Sequence, residues 1–245
     1  MLQTLNFTQD LTTLPAGKLL INTINAWSYV VACKDDAFAE ALKNGDVLIP
    51  DGQSIIWATR FLGCKDAPCR RIAGWDLFVF EMERLEREAR NARCRRRVMF
   101  LGSSGEVLES IRQRAAKDYP MLEVHTYSPP FKDTFSDQDS AAMADAVNAV
   151  RPDLLWIGMT APKQEKWTYM HWNRLDINCH CGTVGAVFDF YAGKVARAPL
   201  WMQKSGLEWL FRLLSSPARM WRRYIVGNSE FIFLVLKEKA VQLFR

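Results

Sequence analysis

The chain has 245 residues, of which 49% are hydrophobic, and it carries a net charge of +5 at pH 7. This length suits one large α/β domain, or a domain with an appendage, and the composition is ample for a core. No stretch approaches the roughly 18–20 uninterrupted apolar residues of a membrane-spanning helix. The N-terminus also lacks the basic and apolar regions of a secretory signal, so we expect a cytoplasmic protein.

Short apolar stretches and turn residues alternate along the chain. Strands are predicted at residues 18–23, 47–49, 98–102, 122–127, 153–159 and 178–184. Helices are predicted at residues 28–42, 54–62, 74–93, 106–117 and 140–150, with a further helix after Pro162. This repeated β–α order with mostly apolar strands predicts an α/β fold with a Rossmann-like, mostly parallel sheet flanked by helices.

Asp51 stands where the chain breaks between a strand and a helix. Pro50 and Gly52 interrupt the apolar run that begins at Val47. The carboxyl ends of strands in an open α/β sheet form the crevice where ligands bind, so Asp51 is a candidate general base. The alternative is an ordinary helix N-cap, which this stretch alone favours.

Other turns offer candidate anion or metal sites. The Gly/Ser turn at residues 102–105 joins a strand to a helix, where free amides favour a phosphate, although glycine turns are common in βα units. Lys163 and Gln164 lie near another helix N-terminus. Residues 137–139 (DQD) have a spacing compatible with a divalent metal. They directly precede a helix, however, so helix capping is the favoured interpretation.

The cysteines predict neither disulfides nor a metal centre. The six cysteines show no disulfide-framework spacing. Residues 179–181 (Cys-His-Cys) raise the question of zinc, but the paired Cys-x2-Cys ligands typical of structural zinc are missing. Alternation on a strand would place both sulfurs on one face and the imidazole on the other. Buried thiols are therefore favoured, and no metal is predicted.

The composition changes after about residue 197, which divides the chain into a core at 1–196 and a helical appendage at 197–245. The appendage holds nine basic and three acidic residues, interleaved with aromatic residues such as Trp201, Trp209 and Trp221. This mixture is typical of a protein that docks on an anionic membrane surface. Plain packing of the appendage on the sheet is an equally weighted alternative, and nucleic-acid binding is well behind both.

Several motifs stand in order between about residue 18 and Tyr224. They are TIN at 23–25, IPDG at 49–52, RIAGWD at 71–76, FLG at 100–102, GMTAPKQE at 158–165, GTVGAVFD at 182–189, RAPLW at 197–201 and GLEWLFRL at 206–213. The series resembles that of the WecG/TagA/CpsF glycosyltransferases, and the combination is more specific than any single motif.

The resemblance implies an inverting, metal-independent enzyme without a cofactor. Such an enzyme moves N-acetylmannosamine, or its uronic acid, from a UDP-sugar to a polyprenyl-diphosphate-linked sugar acceptor on the inner face of the cell membrane. By the same resemblance Asp51 is the catalytic base, which reverses the preference for a cap. The implied substrate-binding residues are Thr23, Asn25, Arg71, Gly102, Gln164 and Asp189. The C-terminal segment is implied to dock on the membrane and to complete the site with arginines, for which the candidates are Arg212, Arg219, Arg222 and Arg223.

The implied chemistry agrees with these residue types. Inversion needs one direct displacement, in which a carboxylate takes the acceptor's proton. Without a metal, the charge on the departing UDP needs arginines and helix-terminal amides. A non-catalytic nucleotide-sugar or membrane-surface binding protein is the alternative. A dinucleotide oxidoreductase is disfavoured because no strand is followed by Gly-x-Gly-x-x-Gly. The donor sugar, the acceptor sugar and the formation of a homo-oligomer stay open.

Overall fold

A six-stranded parallel sheet forms the centre of the protein. The computed structural model describes residues 1–243, and Phe244 and Arg245 lie outside it. The side chains of Lys204 and Arg219 are likewise not described. The strands are β1 (Leu19–Ile24), β2 (Val47–Pro50), β3 (Arg96–Gly102), β4 (Leu122–Tyr127), β5 (Leu154–Gly158) and β6 (His180–Thr183). Their order is β2-β1-β6-β5-β3-β4, with every pair parallel. The predicted α/β, Rossmann-like sheet is confirmed.

Helices connect the strands and follow the last one. They are α1 (Ala26–Ala32), α2 (Asp36–Lys43), α3 (Gln53–Leu62), α4 (Gly74–Ala92), α5 (Gly105–Asp118), α6 (Asp137–Val150), α7 (Lys163–His171), α8 (Gly185–Tyr191), α9 (Leu200–Lys204), α10 (Glu208–Ser215), α11 (Pro217–Trp221) and α12 (Gly227–Leu243). A π-helical turn, Arg222–Val226, joins α11 to α12.

Two local predictions have clear outcomes. The single helix predicted over residues 28–42 is wrong, because Asp35 begins a new helix by accepting a hydrogen bond from the backbone N of Phe38 at 3.0 Å. The capping interpretation of residues 137–139 is confirmed. Ser136 and Asp139 exchange side-chain to backbone hydrogen bonds and close a capping box at the start of α6.

Both faces of the sheet are covered, which explains why its strands are almost continuously apolar. Along β3, Phe100 packs in the cluster that holds Phe78 of α4. Its neighbour Leu101 lies in the opposite cluster with Met143 of α6. The carboxyl ends of β1 and β2 are level, because Thr23 pairs with Ile49 across the two strands.

The last helix packs against the beginning of the chain. The rings of Phe231 in α12 and Tyr29 in α1 meet edge to face with centroids 5.3 Å apart. Glu238 accepts a hydrogen bond from the Tyr29 hydroxyl at 2.9 Å and pairs with the amino group of Met1 at 3.0 Å. Among the described residues, no helix combines the length and apolar character needed to cross a bilayer. The division of the chain at residue 196 stays a prediction.

Candidate active site

A cleft of about 900 Å³ opens at the carboxyl ends of the strands, between them and the C-terminal helices. The turns after β1, β2, β5 and β6 form its base, as expected for an open α/β sheet. Most of the predicted site residues line it, namely Thr23, Asn25, Asp51, Arg71, Gln164, Asp189, Arg212 and Arg223. Residues distant in sequence therefore meet in one cavity.

Asp51 is a cleft residue and does not cap α3. The N-cap of α3 is Gly52, and no side chain caps this helix end. The backbone N of Asp51 donates to the Ile24 carbonyl at 2.8 Å, which fixes the turn after β2 against the end of β1. Burial raises the pKa of the Asp51 carboxyl to about 6, although the charge of Arg71 opposes this rise. Asp51 is therefore an ionised but comparatively basic carboxylate at neutral pH.

Arg71 lies between two carboxylates. Its Nη2 is 3.8 Å from Oδ1 of Asp51 and donates to Oε2 of Glu208 at 2.8 Å. Arg197 adds a second cation, with Nη2 4.0 Å from the same Glu208 oxygen and its guanidinium 4.9 Å from the centroid of the Trp75 ring. Arg71 and Glu208 are 137 residues apart in sequence, so this ion pair joins distant parts of the chain.

Glu208 and Arg197 belong to the candidate site but were not predicted from the sequence. Both line the cleft, and Glu208 stands in the first turn of α10. Two signals were available. Glu208 is the acidic residue of the GLEWL motif within an otherwise basic segment, and Arg197 opens the RAPLW motif.

Asn25 and Gln164 are held by hydrogen bonds within the protein. Asn25 caps α1, since its Oδ1 accepts from the backbone N of Ser28 at 3.1 Å. Oε1 of Gln164 accepts from the backbone N of Met159 at 3.1 Å, and its Nε2 donates to Oε1 of Glu165 at 2.9 Å. These bonds orient both amides at the base of the cleft.

Glu165 is a second buried carboxyl that the sequence did not single out for chemistry. Only 1% of Glu165 is exposed, and its Oε2 has no hydrogen-bond partner among the described residues. Burial raises the pKa of this carboxyl to about 7. Glu165 lines the cleft beside Gln164, and its carboxyl holds a proton more tightly than an exposed glutamate does.

The structure does not bring Gly102 into the cleft. Gly102 has a φ of 127°, and a Cβ at this position would lie 2.3 Å from the carbonyl oxygen of Gly158. Glycine is thus required by the close approach of β3 and β5. The adjoining Ser104 caps α5 by accepting from the backbone N of Val107 at 3.4 Å.

The C-terminal arginines differ in their positions. Arg212 and Arg223 line the cleft, and the positive charge of each lowers the pKa of Asp51. Their guanidinium carbons are 5.1 Å from the Phe190 ring centroid for Arg212 and 5.8 Å from the Tyr224 ring centroid for Arg223. Arg222 is exposed and does not line the cleft. The Arg219 side chain lies outside the described residues.

The Cys-His-Cys segment has the predicted strand geometry. Cys179 and Cys181 are buried in the cluster beneath α6, whereas His180 on the opposite face pairs with Glu81 of α4 at 3.0 Å. Within the part of the chain that the structure describes, no group of three or more His, Cys, Asp or Glu residues could hold a metal ion. Independence from metals stays a prediction.

Fold and cleft together define an α/β enzyme that places a carboxylate and several arginines around one substrate cavity. Comparison with known proteins specifies the class further. The model of the glycosyl transferase WecG/TagA/CpsF family matches residues 1–244. The chain therefore belongs to this family of glycosyltransferases and is a hexosyltransferase.

Relatives with curated names support this assignment. The chain is 28% identical to the N-acetylglucosaminyldiphosphoundecaprenol N-acetyl-beta-D-mannosaminyltransferase of Bacillus spizizenii, over 85% of this chain and 75% of that protein. It is 26% identical to the proteins of the same name from Bacillus subtilis and Staphylococcus aureus strain MW2. These alignments cover 90% and 91% of this chain, and 80% and 81% of the relatives.

Proposed function

We propose that this protein transfers N-acetylmannosamine, or its uronic acid, from a UDP-sugar to a polyprenyl-diphosphate-linked sugar during the synthesis of a cell-surface polymer. The names of the relatives support both the transferred sugar and an N-acetylglucosaminyl-diphosphate-lipid acceptor. The observation that carries the proposal is the position of Asp51 in the cleft, with its raised pKa and with Arg71 3.8 Å away.

The transfer is a single displacement with inversion. Asp51 removes the proton from the acceptor hydroxyl as that oxygen attacks the anomeric carbon of the donor. The bond from the anomeric carbon to the diphosphate breaks, UDP leaves with the electron pair, and Asp51 later releases its proton to water. The direct attack is comparable to that of inverting glycosidases.

Arginines supply the positive charge that the departing UDP and the acceptor diphosphate need. Arg71, Arg212 and Arg223 line the same cavity as Asp51. Guanidinium groups bind phosphate oxygens through charge-assisted hydrogen bonds, and in a partly buried site these bonds stabilise developing negative charge. This cationic set makes transfer without a metal and without a cofactor chemically reasonable.

The enzyme acts as a peripheral protein on the inner face of the cell membrane. Large apolar side chains are exposed on and around the C-terminal helices, among them Trp201, Leu214, Trp221 and Ile225. Exposed Arg222 adjoins this surface, and its guanidinium carbon lies 5.4 Å from the centroid of the Trp221 ring. Aromatic rings with neighbouring cations suit an anionic bilayer interface, where a lipid-linked acceptor is presented.

UDP release is the decisive measurement. Full-length protein is mixed with a panel of UDP-sugars and a synthetic N-acetylglucosaminyl-diphosphate-lipid, with and without a chelator. We expect acceptor-dependent release that survives the chelator, with UDP-N-acetylmannosamine or its uronic acid as the preferred donor. UDP binding without release for any donor would contradict the proposal and favour a non-catalytic binding protein.

A further inference from the structure

An apolar groove leads away from Asp51 between helices α3 and α12, which run side by side in the same direction. At the far end, Nε2 of Gln242 donates to the Leu62 carbonyl at 3.1 Å, and Nζ of Lys239 lies 5.7 Å from the Phe61 ring centroid. At the near end, Asn228 lines the active-site cleft, and α3 begins two residues after Asp51. The groove is therefore continuous with the candidate active site.

Side chains at helical spacing form the two walls. Trp57 and Phe61 follow one another by four residues on α3, and Ile232 and Leu236 do so on α12. All four line the cleft and are 64%, 50%, 58% and 53% exposed. Val235 of α12 also lines the cleft and packs in the buried cluster that holds Ala58 of α3. At 1.5 Å per residue, the α3 wall extends about 12 Å from Gln53 to Phe61.

Such a groove favours an apolar occupant. Exposed apolar surface costs about 25 cal/mol per Å² relative to its burial, and large exposed patches commonly mark binding sites. The groove opens into the cavity that holds Arg71, Arg212 and Arg223. A diphosphate bound by these arginines would place a group attached to it at the entrance of the groove.

We infer that the α3–α12 groove binds the first isoprene units of the acceptor's lipid, so that the enzyme recognises the chain itself as well as its sugar diphosphate. This inference rests on the proposed function, because it assumes that the arginines hold the acceptor diphosphate. Its physical basis is the order of the groups that line one cavity: first the Asp51 carboxylate, then the arginines, then the apolar walls of the groove.

The test is calorimetric binding of isopentenyl, geranyl and farnesyl diphosphate, each below its micelle concentration and without lipid or detergent. These probes share the diphosphate and differ in chain length. We expect the dissociation constant to fall at least tenfold from isopentenyl to farnesyl diphosphate. In Phe61→Ala and in Leu236→Ala, this gain in affinity with chain length should be threefold or less.

Phe233→Ala is the matched control. Phe233 stands on the same helix and is 64% exposed, but it does not line the cleft, so the full gain should remain. Circular dichroism would verify that each variant is folded. Equal affinity for the three probes would overturn the inference, as would equal losses in Phe233→Ala and Leu236→Ala.

Failure of this inference is distinguishable from failure of the proposed function. Chain-length-dependent binding without UDP release on any acceptor would refute the proposed function and leave the groove assignment intact. Turnover with the same KM for methyl-capped and prenyl-linked acceptors would refute the groove assignment and leave the transferase assignment intact.

Discussion

Glu208 holds Arg71 in an ion pair of 2.8 Å, which joins the first turn of α10 to the loop before α4. Through this pair the C-terminal segment reaches the Asp51 carboxylate, since the same Arg71 nitrogen lies 3.8 Å from Oδ1 of Asp51. Glu208 also influences Asp51 directly, because its negative charge contributes to the raised pKa of that carboxyl, after the larger effect of burial.

Replacement of Glu208 by Gln should therefore lower the pKa of Asp51. Loss of one negative charge removes a repulsion, and Arg71 becomes free to pair more closely with Asp51. We expect the acidic limb of the pH profile of kcat/KM to move to lower pH. Glu230→Gln is the control, because Glu230 pairs with Lys34 on the surface. An unchanged limb in Glu208→Gln would contradict this coupling.

Asp51→Asn should remove the acidic limb altogether. In the wild type, kcat/KM should fall as the pH drops through about 6, because protonated Asp51 cannot accept a proton. The variant should lose about 10²–10⁴-fold in kcat while still binding UDP. Rates measured from pH 5 to 8 would check this, with Asp36→Asn on the surface as control. Wild-type rates in Asp51→Asn would refute the catalytic assignment.

The cleft arginines should matter more than their exposed neighbour. Arg212→Ala and Arg223→Ala should each raise KM for the diphosphate-bearing substrates by about 10–100-fold, the equivalent of one charge-assisted hydrogen bond. Each should also raise the pKa of Asp51, because both positive charges lower it. Arg222→Ala is the matched comparison, and initial-rate kinetics would measure all three. An equal effect of Arg222→Ala would show that general surface charge is responsible.

Glu165 should make stability depend on pH. Because burial raises its folded-state pKa from 4.5 to about 7, the folded protein binds the proton more tightly than the unfolded chain. The stability that this provides is present below about pH 4.5 and is lost as the pH rises through 7. Glu165→Gln keeps an acceptor for Gln164. Its free energy of unfolding relative to that of the wild type should rise by roughly 3 kcal/mol from pH 4.5 to pH 8.

Urea unfolding across this pH range would measure the gain, with exposed Glu109→Gln as its control. Parallel stability curves for Glu165→Gln and the wild type would show that Glu165 does not titrate as described.

Gly102→Ala should destabilise the fold without impairing substrate binding. The added Cβ meets the Gly158 carbonyl at 2.3 Å at a φ that L-residues rarely adopt. We expect the free energy of unfolding, measured by thermal or urea denaturation, to fall by at least about 2 kcal/mol. Gly105→Ala is the control, since a Cβ there has no neighbour within 4 Å. Weaker UDP binding by a stably folded Gly102→Ala would instead support the binding role that the resemblance implies.

Local pattern was sufficient for the architecture. The apolar strands and their intervening helices predicted a parallel sheet. Strands of such a sheet are buried on both faces, and they therefore appear in the sequence as nearly continuous apolar runs. The turn after β2 could likewise be located, since Pro50 and Gly52 interrupt it. Pattern could not decide whether Asp51 caps a helix, because a cap and a cleft carboxylate look alike in sequence.

Assembly of the site was decided by the tertiary structure. Arg71, Glu208 and Arg197 meet only because the C-terminal helices fold back over the strand ends, and no local signal predicts which of several arginines a fold will turn inward. The α3–α12 groove has the same origin, since its walls are about 175 residues apart in sequence. The amino-acid sequence determined which chemical groups were available, through motif and periodicity. Long-range packing decided which of them share one cavity, because ion pairs and pKa shifts depend on distance and burial.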